Sequence, residues 1–140
     1  MEERPEETRD AQTTPLTFVT RQDAIQRQLN TAIWLWFHEG DVVSTHTLAC
    51  SALKIARDVG VKLGKKSAVI DVLNEKDKQL GKLAMIPQDF FKHARKDPDA
   101  VLPFNPESTP YHIYDAVSLY QQIYKHISPH MDFICFSIPS

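Results

Sequence analysis

The sequence predicts an all-α fold, an antiparallel bundle of four main helices plus one short helix, and three observations predict it. Apolar residues recur at i, i+3, i+4 and i+7 through four long windows. No window alternates with the period of a strand. Helix start and stop residues, such as Thr20, Gly40, Ser44 and Gly60, fall at the window edges. With 140 residues, 42% of them hydrophobic, the chain has material for one core and therefore one domain.

Residues 1–19 are Glu-, Thr- and Arg-rich with Pro5 and Pro15, so a flexible acidic tail is expected before a single domain over 20–140. Thr20 with Asp23 forms a capping signal, and Ile25, Leu29, Ala32, Ile33, Trp36 and Phe37 then define a first helix over about 20–38. Trp34 and Trp36 are two apart and cannot share one face, so one of them covers a second packing surface or a subunit interface. Ser44 is a good N-cap for a second helix over about 44–59, striped by Leu48, Ala52, Ile55 and Val59. Its small residues Ala49, Ser51, Ala52 and Ala56 suit a central place in the bundle.

Ser67 starts a third helix through Val69, Leu73, Leu80, Leu83 and Ala84, weakened by Gly81. Pro87 suits a first helical position, so a short helix from there to Arg95 should turn Phe90, Phe91 and Ala94 inward. The proline-rich stretch from Asp97 to Pro110 is a loop. From Tyr111 the stripe Ile113, Ala116, Val117, Tyr120, Ile123, Tyr124 and Ile127 makes the last long helix, and the tail beyond it is apolar enough to pack.

Charge is unevenly placed although the net is only −2. Residues 54–96 carry eleven Lys/Arg against five Asp/Glu, an excess of +6, flanked by acidic segments. Such an excess can attract an anionic partner such as a nucleic acid, but Lys-rich helices are more often solvated faces. Two distant cysteines and the absence of an apolar leader fit a reducing cytoplasm. No apolar run approaches the roughly 20 residues of a membrane span, so no membrane partner is expected. There is no glycine-rich phosphate loop, and no cofactor is expected.

Chemistry concentrates in Phe90-Phe91-Lys92-His93-Ala94-Arg95-Lys96-Asp97. A carboxylate such as Asp97 beside His93 would orient the ring for proton transfer, while Lys92, Arg95 and Lys96 hold a phosphate. His46, one turn into the second helix, lies at helical spacing from Ala49 and Cys50 and so faces another helix. A His46/His93 pair completed by Glu39, Asp41 or Asp97 would make a divalent-metal site. The alternatives are a half-buried His93 satisfied by loop backbone and a His46 bonded within its capping region. His38, His112, His126 and His130 read as surface residues.

The runs Arg27-Gln28-Leu29-Asn30-Thr31-Ala32-Ile33, Gly40-Asp41-Val42-Val43-Ser44-Thr45-His46-Thr47-Leu48-Ala49 and Phe90-Phe91-Lys92-His93-Ala94, with Asp97-Pro98-Asp99, resemble a group of small uncharacterised bacterial helical-bundle proteins. That group in turn resembles the HEPN superfamily of nucleotide-binding bundles. The resemblance implies a four- or five-helix bundle, usually dimeric, and in many members a metal-independent ribonuclease with an Arg and a His four to six residues apart. It also implies that His93 acts on a ribose 2′-hydroxyl while a cation holds the phosphate. Here Ile86, Pro87 and Gln88 stand where the arginine is expected, so Lys92 or Arg95 would have to replace it. Three expectations result: a homodimeric HEPN-like module binding a nucleotide, RNA or protein without strong catalysis; a metal-independent endoribonuclease using His93; and a divalent-metal-binding bundle using His46 and His93.

Overall fold

The computed structural model describes residues 14–137, with backbone alone from residue 135 onward. Among them all regular structure is helical: α1 (Arg21–Phe37), α2 (Val42–Val61), α3 (Ile70–Lys76), α4 (Lys78–Lys92), α5 (Thr109–Tyr124) and α6 (Pro129–Ser137), with a 3-10 turn at Pro106–Ser108 before α5. The protein is an all-α bundle, as the sequence predicts. No helix in the described region is long and apolar enough to cross a membrane. Most of the predicted acidic tail, residues 1–13, lies outside the described residues, as does the side chain of Cys135.

The first helix begins where its capping residues place it. Thr20 Oγ1 accepts from Asp23 N at 3.0 Å and the Asp23 carboxylate accepts from Thr20 N at 3.2 Å. This reciprocal box satisfies two otherwise orphaned donors and stabilises the helix start by about 1 kcal/mol. Helix α2 starts earlier than Ser44. Its cap is Asp41, whose carboxylate accepts from Ser44 N at 2.8 Å and from Ser44 Oγ at 2.7 Å. A carboxylate outcompetes a hydroxyl for that role, and Ser44 becomes its donor instead.

Helices α1, α2 and α5 form the core. Ile25, Leu29, Ala32 and Ile33 from α1 meet Ala49, Ala52, Leu53 and Ala56 from α2 and Ile113, Ala116, Val117 and Tyr120 from α5. The alanines let the backbones approach closely, and α2 packs on both neighbours as its small residues predict. The apolar tail folds as α6 against α1 and α5, burying Met131 and Ile134. Trp36 packs on the core, whereas Trp34 lies half exposed and stacks on His38 at 4.0 Å between centroids.

The middle of the chain departs from expectation. The predicted third helix breaks at Asp77, whose side chain caps α4 by accepting from Gln79 N at 2.9 Å. Gly81 is buried where α3 and α4 meet, and a Cβ there would sit 1.7 Å from Asn74 Oδ1, so glycine lets the hairpin close. Pro87 does not begin a helix; it lies inside α4, which runs on to Lys92. Its missing N–H unpairs only the carbonyl of Leu83, an exposed residue, so water can serve that group. Ala94 accordingly falls beyond the helix and is exposed.

Candidate functional site

Two places collect chemistry. The first is buried between α2, α4 and α5. His46 and Cys50 are one turn apart on α2 and fully buried, and His112 on α5 is 8% exposed. A ring nitrogen of each histidine and the Cys50 sulfur all lie within 4.8 Å of one another. His112 is thus no surface residue. It sits with Thr109, Ile113, Ala116 and Tyr120 on the inner stripe of α5, where i, i+3, i+4 spacing carries it under the neighbouring helix.

Each imidazole is held through Nδ1. His46 Nδ1 hydrogen-bonds Thr109 Oγ1 at 2.8 Å, and His112 Nδ1 donates to the Ser108 carbonyl at 3.1 Å. A carbonyl only accepts, so Nδ1 of His112 carries the proton and a neutral ring presents Nε2 as a lone pair. Nε2 of His46 and Nε2 of His112 are buried and have no hydrogen-bond partner. Around His46 the rings of His112, Phe104 and Phe91 stand edge-on at 4.8, 4.9 and 5.9 Å, and Phe91 and Phe104 contact each other at 5.1 Å. The aromatic wall buries the cluster.

That burial sets the protonation of His46 and Cys50. Burial, reinforced by repulsion from His112, pushes the His46 imidazole down to about 4, so it is neutral at physiological pH. Burial pushes the Cys50 thiol up to about 12, with Lys92 pulling it down and Asp89 pushing it further up. Cys50 is therefore no free nucleophile. Two imidazoles and one thiol are the donor set of a borderline-soft transition metal. A tetrahedral ion with bonds of about 2.0–2.3 Å needs its donors about 3.4–3.7 Å apart, so the side chains would close by about 1 Å.

The second place is an open cleft of about 570 Å³ lined by Ile86, Asp89, Phe90, His93, Arg95, Lys96 and Asp97. It brings together four of the residues singled out in sequence, His93, Arg95, Lys96 and Asp97. His93 is exposed, ending α4 with its backbone N–H bonded to the Asp89 carbonyl at 3.0 Å. Lys92 is exposed and does not line the cleft, and His46 lies in the buried cluster rather than beside His93. Asp41 is used as a helix cap and Glu39 is exposed in the α1–α2 turn, so neither joins a site with His46. A comparable groove of about 490 Å³ along α2 is lined by Arg21, Ile55, Asp58, Val59, Lys62 and Leu63, with neither histidine nor cysteine.

A scan against protein-family models and searches of curated proteins and of solved structures gave no match.

Proposed function

We propose that this protein is a metal-binding helical bundle in which His46, Cys50 and His112 hold a divalent transition ion such as Zn(II). The observation that supports it is a buried cluster in which a ring nitrogen of His46, a ring nitrogen of His112 and the Cys50 sulfur lie within 4.8 Å of one another, with Nε2 of each imidazole buried and unpartnered. Leaving a buried polar atom unpaired costs about 1–3 kcal/mol, and a bound cation removes that cost at both rings at once. The Nδ1 contacts to Thr109 and Ser108 are the outer-shell bonds that orient histidine ligands. Of the sequence expectations this keeps the metal-binding bundle with His46, and it exchanges His93 for His112 and Cys50.

Equilibrium dialysis of the full chain against Zn(II) tests it. One ion per chain is expected, with affinity reduced about 100-fold or more in Cys50→Ser and His112→Gln at unchanged helicity. A wild-type chain that retains no zinc would overturn the reading.

The open cleft supports a second reading, the HEPN-like module that binds RNA or a nucleotide. Arg95 and Lys96 enter no ion pair with another described residue, and they share the cleft with His93. Fluorescence anisotropy with a labelled oligoribonucleotide should show salt-sensitive binding that the double change R95E/K96E abolishes. If the cleft also cleaves RNA, cleavage persists in chelator and disappears in His93→Ala. Binding that ignores both salt and the charge reversal removes this reading.

A further inference from the structure

Resting on the metal reading, the geometry points to Gln88 of α4 as the fourth donor, its side-chain carbonyl completing a closed centre of two histidines, one cysteine and one glutamine. Three observations carry this. Gln88 is a long polar side chain only 5% exposed, and its Oε1 is buried without a hydrogen-bond partner, as are the two imidazole nitrogens. It belongs to the turn of α4 that faces the cluster: Phe91, three residues on, stands edge-on to His46 at 5.9 Å. Asp89 and Lys92 of the same turn are within electrostatic reach of the Cys50 sulfur. Residues 88, 91 and 92 share one helix face, so Gln88 is presented toward α2 with them.

The donor count has a chemical consequence. Zinc held by three protein groups keeps a position for water and catalyses, whereas zinc held by four is closed and structural. A neutral amide oxygen in the fourth position excludes water and joins α4 to α2 and α5. The ion then acts as a staple on the helix whose C-terminal end carries the His93 cleft.

Cobalt(II) is the probe, because its visible bands report coordination number and its near-ultraviolet thiolate charge-transfer band reports Cys50. Wild-type protein titrated with cobalt(II) should give the intense visible bands of a four-coordinate ion together with the thiolate band. Gln88→Ala should keep the thiolate band, change the visible intensities and weaken binding about tenfold or more. Gln88→Glu supplies a carboxylate oxygen at the same reach, so it should retain the four-coordinate spectrum with affinity at least equal to wild type. The far-ultraviolet circular dichroism of each variant is compared with wild type. If the alanine variant fails to fold, the glutamate variant alone decides. Cobalt bound through Cys50 with spectra and affinity unchanged in Gln88→Ala, or binding destroyed in a folded Gln88→Glu, overturns Gln88 as ligand. No cobalt binding in the wild type overturns the metal reading itself.

Discussion

A neutral imidazole needs two partners, one for its N–H and one for its lone pair, and His46 and His112 each have only the Nδ1 partner. In metal-free protein this leaves a pH signature. His46 titrates near 6.5 in the unfolded chain and about 4 in the fold, so between those values the unfolded chain binds the extra proton. Stability therefore rises with pH from about 4 to about 6.5, and about 1–3 kcal/mol is lost as pH falls through that window. Urea unfolding of chelator-treated protein at about pH 5 and about pH 7 measures the difference, and His46→Gln should flatten it. That His46 faces another helix was legible from its spacing to Ala49 and Cys50. The place of His112 was less so, because one polar residue between Tyr111 and Ile113 gives no hydrophobic signal. Only its offset of four from Ala116 marks it as inward.

Among the elements, helix ends were more legible than helix breaks. The Thr20 box is local, and so is the Ser67–Asp71 pair, in which Ser67 Oγ accepts from Asp71 N at 2.9 Å and Asp71 accepts from Ser67 N at 2.8 Å. Helix α3 itself starts later than Ser67, with Val69 as its N-cap and no side-chain cap bond. The start of α3 also depends on a residue nothing local reveals. Asp115, fully buried on α5, accepts from Val69 N at 3.0 Å and Ile70 N at 3.1 Å. An acidic residue in an apolar stripe reads as a surface position until the chain folds back and offers it two orphaned donors. Removing it leaves both donors unsatisfied. Asp115→Ala should lower stability by about 2–4 kcal/mol, and in hydrogen exchange the amides of Val69 and Ile70 should lose protection before the α2 core does. Unchanged protection at those two amides would contradict this role. Pro87 misled for a related reason: its ring is pre-shaped for a helix start, yet one missing bond on an exposed side of α4 is tolerated.

For the molecule as a whole, the all-α class and one core were legible because periodicity reports burial averaged over many residues. The site was only half legible, because it joins residues 46 and 50 to residue 112 across the sequence. Long-range register decides such a meeting, and composition carries no trace of it. The buried cluster and the His93 cleft approach one another at the C-terminal end of α4, where Phe91 walls the first and its neighbour Phe90 lines the second. The central claim is that the chain's own thiol and two imidazoles converge on one ion. Zinc X-ray absorption of the loaded, full-length protein tests it most directly. The account predicts one sulfur at about 2.3 Å and imidazole nitrogens at about 2.0–2.1 Å, with the sulfur shell lost in Cys50→Ser. A zinc spectrum built from oxygen and nitrogen alone in the wild type would contradict it.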